Sequence, residues 1–275
     1  MIQYLLRRQL CYDISLHSDI ELTKEVFPKI KDLRVSPQLP NRDHVLSFDF
    51  PSYPIVWRAG SELILSEMEW SVYPVNRGKT PEDRLKMRIK MADMRSERVL
   101  GDKSSYWHKI RKNRCLIPVS GTYEHRAIQG WAKKVPYYIW QKDRPIQFLP
   151  GFYELRESVL ANGETVNIGS FAMLTRSANE LMANIHNDGE YRHRMPLFLT
   201  PELEEFWVSE HLTDDDLQAV FEYMLPSEAL DCHPVFSIRG KKPRPDGNPK
   251  FEFWRYENLP PLGNDHGIES QMSLF

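Results

Sequence analysis

Short apolar runs separated by turn-forming residues are the main pattern along this chain. Residues 115–119 are uniformly apolar and are followed by Ser120-Gly121, which indicates a short buried strand that enters a turn. A short strand is also expected at residues 11–15. Runs rich in aromatic and β-branched residues predict further strands at residues 62–70, 72–73, 135–141, 147–155 and 165–175.

Helix start and stop signals lie between these runs. The sequence Ser177-Ala178-Asn179-Glu180 has a capping-box pattern and predicts a helix that ends near His186. Threonine caps and a proline stop signal add to this pattern. Together with the apolar spacing of Trp107 and Ile110, they predict helices at residues 18–27, 103–112, 201–210 and 214–224.

Two segments are harder to assign from periodicity. Residues 84–91 alternate basic and apolar side chains over four cycles, which predicts a strand with one buried face and one basic face. Residues 35–57 contain several prolines and turn-forming residues, so we expect loops with brief extended pieces there.

Composition places the chain among ordinary soluble proteins. Its 275 residues are 41% hydrophobic and 27% charged, and no apolar run approaches the roughly 18 residues that span a membrane. We therefore expect one domain with a C-terminal tail. The cysteines, Cys11, Cys115 and Cys232, lack the spacing of a disulfide framework or a zinc site, so we expect no metal or cofactor and a reducing cytoplasm.

The distribution of charge differs from the net charge of −2. Between Arg84 and Arg114, eleven Lys or Arg accompany only three Asp or Glu, whereas residues 201–231 are strongly acidic. This asymmetry favours one face that binds a polyanion such as nucleic acid. A solvated charged face is the alternative.

Glu124 is the first candidate for chemistry. It follows the apolar run and the Gly121 turn, a position where a carboxylate can sit in a pocket with a raised pKa and act as a general acid or base. The alternative is a glutamate at the end of a strand that points into solvent.

An ordered set of motifs surrounds these features. Cys11 at the start of a strand is followed by Arg95-Ser96-Glu97, Arg114-Cys115-Leu116-Ile117-Pro118, Gly121-x-Tyr123-Glu124, Phe171 to Asn179, Ile185-His186 and Arg194-Met195-Pro196. In this order they resemble the SOS-response-associated peptidase (SRAP) family over residues 11–235. The resemblance implies an α+β fold, a single β-rich domain with mixed, barrel-like sheets and peripheral helices.

The resemblance also implies a reaction with damaged DNA. In the family, removal of the initiator Met exposes an N-terminal cysteine, here Cys11, which reacts with the aldehyde of an abasic site in single-stranded DNA. The product is a thiazolidine crosslink that shields the lesion during the DNA damage response. An N-terminal amine has a pKa of about 7.7–8.0 and can form a Schiff base at neutral pH, after which the thiol closes the ring.

Further site residues are implied by position. Glu124 and His186 match the acid/base residues of the family, with His193 as the alternative histidine, and Arg95 matches an arginine that holds a phosphate. Arg88 and Arg114 extend the expected DNA-binding surface. Two positions depart from the family pattern: Asp93, also expected at the DNA, stands where Asn is usual, and His125 stands where Trp is usual.

The ten residues before Cys11 depart from the family as well. As written, they leave Cys11 inside the chain and without a free amine. Translation from Leu10 at a non-standard initiation codon, cleavage of the leader, and the absence of any crosslinking are the three explanations. We favour the first, so residues 1–10 are expected to be missing from the mature chain and residues 11–258 to form the domain.

The final residues form a second motif. Gln271, Ser273, Leu274 and Phe275 fit the pattern of peptides that bind the bacterial DNA polymerase sliding clamp, in which Met272 occupies the position open to any residue. Residues 259–275 are expected to be a disordered tail that carries this motif, with Leu274 and Phe275 entering an apolar pocket. A clamp partner places the protein in the cytoplasm, at the nucleoid.

Two other functions are compatible with the sequence. One is a non-covalent single-stranded DNA-binding adaptor that the clamp recruits and that uses the basic residues without chemistry. The other is a thiol peptidase that uses Cys11, His186 and Glu124.

Overall fold

The computed structural model describes residues 13–35, 42–72, 80–159, 162–240 and 243–265. The described strands are β1 (Asp13–Leu16), β2 (Ile30–Arg34), β3 (Arg42–Leu46), β4 (Ser52–Ala59), β5 (Glu62–Trp70), β6 (Asp93–Arg95), β7 (Arg114–Val119), β8 (Gly121–Arg126), β9 (Val135–Gln141), β10 (Gln147–Val159), β11 (Thr165–Ser177), β12 (Arg194–Pro196) and β13 (Leu230–Pro234). The described helices are α1 (Leu22–Val26), α2 (Pro81–Lys90), α3 (Ser96–Gly101), α4 (Tyr106–Ile110), α5 (Glu180–Ile185), α6 (Pro201–Trp207) and α7 (Asp214–Glu222).

The strands form two sheets. A five-stranded antiparallel sheet has the order β13-β9-β8-β1-β3, and the larger sheet has the order β12-β11-β10-β7-β4-β5-β2, with β6 beside β11. A parallel pairing of β5 with β11, in which Trp70 lies opposite Phe171, closes β5, β4, β7, β10 and β11 into a ring. This architecture confirms the predicted α+β fold with barrel-like mixed sheets and peripheral helices.

Two apolar cores lie on the two sides of this ring. Inward-pointing residues such as Tyr53, Trp70 and Phe171 pack with the five-stranded sheet. Outward-pointing residues, among them Phe148, pack against the helices, including Trp207 of α6. Because both faces of the ring are covered, its strands are close to continuously apolar, as the pattern of residues 115–119 indicated.

The chain crosses from one sheet to the other at a single residue. β7 ends at Val119 and β8 begins at Gly121, so Ser120 alone joins them. The hydroxyl of Ser120 accepts hydrogen bonds from the backbone of His17 and Ser18, each at 3.1 Å. A Cβ atom at Gly121 would lie 2.4 Å from the ring of Tyr138, so only glycine fits where β8 starts. The predicted turn is therefore a direct entry into another strand.

The predicted strand at residues 84–91 is wrong, because this segment is helix α2. Thr80 accepts a hydrogen bond from the backbone of Asp83, the Asp83 side chain accepts one from the backbone of Thr80, and Pro81 occupies the first helical position. These helix-initiating interactions outweigh the alternating pattern. The basic side chains of the segment therefore surround a helix and do not form a ladder on one face of a sheet.

Other boundaries also differ from the predictions. Residues 35–57 were expected to be mainly loop, but they contain β3 and most of β4. Helix α3 was not predicted, because its six residues are too few to show a periodic pattern. The strands predicted at residues 62–70 and 135–141 are confirmed with the same bounds. No helix within the described ranges is long and apolar enough to cross a membrane.

The domain extends beyond the predicted boundary at residue 258. The guanidinium of Arg126, which is fully buried, donates hydrogen bonds to the carbonyl groups of Pro260 (2.8 Å), Pro261 (2.6 Å) and Asn264 (2.9 Å), and it pairs with Asp265 (2.8 Å). Residues 259–265 therefore pack on the five-stranded sheet, which corrects their assignment to the disordered tail.

Candidate active site

Glu124 lies within the core of the protein. It is the fourth residue of β8, and it pairs with Tyr137 on β9 while β1 runs along the other side of β8. Its side chain is 3% exposed, so the alternative of a solvent-facing glutamate is excluded. Burial of Glu124 follows from the direct passage of β7 into β8, which places this residue between the two sheets.

His186 is buried with one ring nitrogen fixed. It ends helix α5, and Nδ1 lies 2.9 Å from the carbonyl oxygen of Arg194. A carbonyl oxygen only accepts, so Nδ1 carries a hydrogen, and Nε2 is the ring nitrogen that remains for another partner. Within the described residues, Nε2 is buried and has no hydrogen-bond partner. Such atoms are rare in folded proteins, and a catalytic role is one of the explanations for them.

The neighbour of His186 attaches this histidine to the strand of Glu124. The Asn187 side chain accepts a hydrogen bond from the backbone N–H of Ala127 (2.8 Å) and donates one to its carbonyl oxygen (2.9 Å). Ala127 directly follows β8, against which α5 packs. In contrast, the side chain of His193 is exposed. The geometry therefore favours His186 over His193 as an acid/base group.

Asp93 is the second buried carboxyl group. It opens β6, which pairs in parallel with β11, and only 7% of it is exposed. Burial raises its pKa to about 7; Arg194 and Arg95 oppose this rise, and the charge of Glu124 adds to it. The charges that act on Asp93 therefore come from three strands that belong to two sheets.

Arg194 links Glu97 to the histidine. Its guanidinium donates to both oxygens of Glu97 (2.6 and 3.1 Å) and to the hydroxyl of Thr175 (3.2 Å), while its carbonyl oxygen binds His186. Arg194 and Glu97 belong to motifs noted in the sequence, but neither was predicted to be a site residue. Only the pairing of β12 with β11 shows their position.

Arg95 lies at the edge of this cluster. Its side chain is partly exposed, and its guanidinium lies 4.8 Å from the centre of the Tyr191 ring. A stacked arginine at the edge of a site can bind a phosphate with its remaining donors. Tyr191 was missed in the sequence, because nothing in its local pattern distinguishes it from a surface tyrosine.

The other predicted DNA-binding arginines lie elsewhere. Arg88 is on α2, where it pairs with Glu69 and lies 3.8 Å from the centre of the Phe50 ring. Arg114 is buried, and its guanidinium donates to the carbonyl oxygens of Trp207 (2.9 Å) and Ser209 (2.7 Å). Arg114 therefore fastens β7 to the end of α6 and is not brought to the surface beside Arg95.

Of the remaining predicted groups, only His125 lies within the described residues. The sequence positions of Cys11 and of Gln271, Leu274 and Phe275 lie outside the described residues. His125 is partly exposed beside the five-stranded sheet, and burial lowers its pKa to about 4, although Asp13 opposes this shift. A neutral His125 adds no charge to a DNA surface at neutral pH.

The first described strand is held in place by charge. Asp13 on β1 accepts hydrogen bonds from Nε2 of His44 (2.6 Å) and from the guanidinium of Arg239 (Nε at 3.1 Å). Burial alone would raise the pKa of Asp13, but Arg239 and His44 outweigh burial and hold the pKa well below its usual range. The strand that begins two residues after Cys11 is thereby fixed beside β8.

Together these residues form a cluster of buried titratable side chains, Glu124, Asp93 and His186, with the partly exposed Arg95 at its edge. Buried titratable groups of this kind are candidates for proton transfer, and an arginine at their edge is a candidate for binding an anion. Across the ranges described by the structure, no three His, Cys, Asp or Glu side chains are grouped so that they could hold a metal ion.

Comparison with known proteins assigns the family. A model of the SOS response associated peptidase (SRAP) family matches residues 28–239. The chain belongs to this family. Two similar SRAP proteins of Bacillus subtilis are the abasic site processing proteins YoqW and YobE. YoqW is 28% identical over 212 residues, which cover 76% of this chain and 87% of YoqW. YobE is 28% identical over 206 residues, which cover 74% and 85% of the two chains.

Solved structures agree with the SRAP fold. A crystal structure of a protein from Bacteroides thetaiotaomicron has a TM-score of 0.69 at 26% identity and covers 88% of this chain and 98% of its own. A protein from Bordetella bronchiseptica has a TM-score of 0.63 at 20% identity, with coverage of 82% and 100%, and this likeness concerns the fold alone.

Replacing Asp93 by Asn tests the electrostatics of the site. The folded-state pKa of about 7 exceeds the ordinary value, so the wild-type protein loses stability as the pH rises from about 4 to about 7. Asn keeps the shape and cannot ionise. Asp93→Asn should therefore raise the free energy of unfolding at pH 8, by at most about 4 kcal/mol for three pKa units, and much less at pH 4.5. Urea denaturation at both pH values measures this.

Glu97→Gln is the matched control, because the contribution of Glu97 to the free energy of unfolding depends on pH in the opposite direction. Partial burial alone would raise the pKa of Glu97, but its hydrogen bonds to Arg194 hold the pKa below the ordinary value. Its contribution to stability is therefore present at neutral pH and lost in acid. An Asp93→Asn protein that is less stable than wild type at pH 8 would contradict the assigned environment of Asp93.

Proposed function

We propose that this protein processes abasic sites in single-stranded DNA, and that it does so by forming a covalent thiazolidine crosslink through the amine and thiol of Cys11. The observation that carries the proposal is the buried group of Glu124, His186 and Asp93 beside strand β1. Two similar proteins of the family, YoqW and YobE, are named abasic site processing proteins, which supports the choice of substrate.

The position of β1 brings the proposed nucleophile within reach. Asp13 pairs with Tyr123, the residue before Glu124 in β8. The carboxylate of Asp13 is held by hydrogen bonds from His44 and Arg239. Consecutive Cα atoms are 3.8 Å apart, so the chain keeps Cys11 within about 8 Å of Asp13. This pairing supports the proposal, because it puts the start of the described part of β1 beside the strand that carries Glu124.

The proposed reaction needs proton transfer at each stage. The amine of Cys11 adds to the sugar aldehyde, water is lost to give an iminium ion, and the thiol adds to the iminium carbon to close the ring. Glu124 and Nε2 of His186 exchange the protons, and Arg95 binds a phosphate of the strand beside the lesion. Because an internal cysteine has no free amine, the reaction requires a chain that begins at Cys11.

The first test is adduct formation by protein that begins at Cys11. We expect a heat-stable adduct with an oligonucleotide that contains one abasic site, observed in a denaturing gel. Cys11→Ala should abolish the adduct, and Cys11→Ser should not restore it, because an oxygen is a poor replacement for the thiolate nucleophile. Equal adduct formation by the full chain with an intact leader would exclude the terminal amine.

Salt-sensitive DNA binding with no adduct would instead support the non-covalent adaptor. Cleavage of a peptide substrate that depends on Cys11 and His186 would support the thiol peptidase.

The second test concerns the buried acid/base groups. Glu124→Gln and His186→Gln should each slow adduct formation by about 10²-fold, because general acid/base groups contribute on that scale. Both variants should still bind undamaged single strands. His193→Gln is the matched control, because that histidine is exposed, and it should leave the rate unchanged.

Arg95→Ala should behave differently from these variants. It should weaken binding to single-stranded DNA. It should also reduce the slope of log affinity against log salt concentration by about 1, because one phosphate contact is lost. A normal adduct rate in both Glu124→Gln and His186→Gln would show that the buried groups are structural.

We further propose that the protein binds the sliding clamp through Gln271, Leu274 and Phe275. The five C-terminal residues match the clamp-binding pattern throughout. In this binding mode, Leu274 and Phe275 fill an apolar pocket and Gln271 makes polar contacts. Recruitment by the clamp would raise the local concentration of the protein at replication forks, where abasic single strands occur.

Isothermal titration with the clamp of the host tests this partner. We expect a roughly micromolar Kd, typical of short peptides that order on binding. Leu274→Ala with Phe275→Ala should abolish binding, whereas Met272→Ala, at the unrestricted position of the motif, should retain it. Equal binding by a protein that lacks residues 271–275 would exclude the motif.

A further inference from the structure

The carboxyl group of Asp93 has fewer partners than a buried carboxylate needs, because it is given only a backbone hydrogen bond. Within the described residues, its Oδ2 atom is buried and has no hydrogen-bond partner. An isolated carboxylate is strongly destabilised away from water, and a group in this position normally takes up a proton. The proposed crosslinking reaction uses Glu124 and His186 for proton transfer and leaves Asp93 without a role in it.

The nearby cations do not neutralise Asp93. Arg194, on β12, is engaged by both oxygens of Glu97, which follows on α3. Arg95, two residues further along β6, lies over the ring of Tyr191. Their opposition to the raised pKa of Asp93 is outweighed by burial, to which the charge of Glu124 adds. Two further groups belong to this surrounding: His186, whose Nδ1 donates to the carbonyl oxygen of Arg194, and Arg176 on β11, whose pKa is affected by the charges of Glu97 and Arg194.

Two carboxyl groups with unequal environments divide the work of acid and base. Where two such groups share a desolvated site, one holds a proton at a pH at which the other is ionised, and each takes a different role in proton transfer. The sites of aspartic proteases and lysozyme follow this rule. Asp93 and Glu124 come from different sheets but are close enough for the charge of Glu124 to act on Asp93.

We propose that Asp93 is a catalytic general acid of the crosslinking reaction, which donates a proton to the oxygen lost from the abasic sugar. Glu124 acts as the base one step earlier: its carboxylate takes a proton from the nitrogen of Cys11 as the carbinolamine forms and returns it to the aldehyde oxygen. The inference rests on the proposed function. In the carbinolamine formed by the amine of Cys11, the carbon–oxygen bond breaks and its electron pair remains on oxygen. That oxygen takes the proton of Asp93 and leaves as water, and the nitrogen lone pair forms the carbon–nitrogen double bond.

Ring closure restores the starting state of the site. The sulfur of Cys11 forms a bond to the iminium carbon, and the proton of the thiol passes to the carboxylate of Asp93. The net change is the loss of one water from the aldehyde and the aminothiol. Asp93 and Glu124 both finish in the protonation states in which they began.

The test is the pH dependence of single-turnover adduct formation by protein that begins at Cys11. The wild-type rate should rise with pH at first, because the amine of Cys11 loses its proton. Above about pH 7 the rate should fall, by up to tenfold per pH unit, because the carboxyl group of Asp93 loses the proton that it donates. Asp93→Asn should be about 10²-fold slower at pH 6.5 and should lack the falling limb, because an amide cannot donate a proton of this kind.

Glu97→Gln is the second variant. It should shift the pH at which the adduct rate begins to fall, and it should not remove that fall. Loss of Glu97 frees the guanidinium of Arg194, which then stabilises the carboxylate of Asp93. The falling limb should therefore shift to lower pH. Binding to a strand with a tetrahydrofuran analogue, which has no aldehyde, should be retained by wild type and Asp93→Asn, which shows that both are folded and competent to bind.

The outcomes separate the inference from the function on which it rests. An Asp93→Asn protein with the rate and pH profile of wild type would overturn the role of Asp93 and leave the crosslinking reaction intact. An unchanged falling limb in Glu97→Gln would also overturn it, because the limb would then belong to another group. No adduct from wild type at any pH would overturn the proposed function and this inference with it.

Discussion

The passage from β7 into β8 through Ser120 alone is the constraint on which the site depends. The absence of a side chain at Gly121 lets the first residue of β8 lie against the ring of Tyr138, where a Cβ atom would approach to 2.4 Å. β8 therefore leaves the closed ring at once and enters the five-stranded sheet. Glu124, three residues later, is placed between the sheets and out of water.

The electrostatics of the site follow from this burial. Three titratable side chains, Glu124, Asp93 and His186, lie in a region where a charge is poorly solvated, and the protein compensates for only part of that lost solvation. Arg194 is held by Glu97, and the His186 ring is fixed by a backbone carbonyl, so neither pairs with the carboxyl of Asp93. Asp13 shows the contrasting case, because two partners keep it ionised where it anchors β1. The same fold thus holds one buried carboxyl charged for stability and another close to neutrality.

The sequence predicted the parts of this arrangement that depend on local pattern. The apolar run of β7 and the Thr213 cap of α7 are local signals, and both predictions agree with the structure. The alternation at residues 84–91 was misleading, because the cap at Thr80 determined the local structure. Motif order also led to Glu124 and His186, although the pattern alone could not show that their side chains are buried.

What the sequence could not show depends on contacts between distant segments. The raised pKa of Asp93 arises from burial by strands that are far apart in the chain, and the position of Arg194 depends on the pairing of β12 with β11. Arg114 looked like part of a basic surface, but its guanidinium is used by the carbonyl groups that follow α6. The packing of residues 259–265 likewise depends on one buried arginine, Arg126, more than 130 residues earlier.

The central claim is that this buried site carries out aldehyde chemistry at the end of strand β1. Intact mass spectrometry of the product formed with an abasic oligonucleotide, followed by peptide mapping, tests it most directly. The account predicts a single covalent product whose mass is that of the chain from Cys11 plus the oligonucleotide less one water, with the linkage at Cys11. A product linked through a lysine side chain, or only unmodified protein and strand, would contradict it.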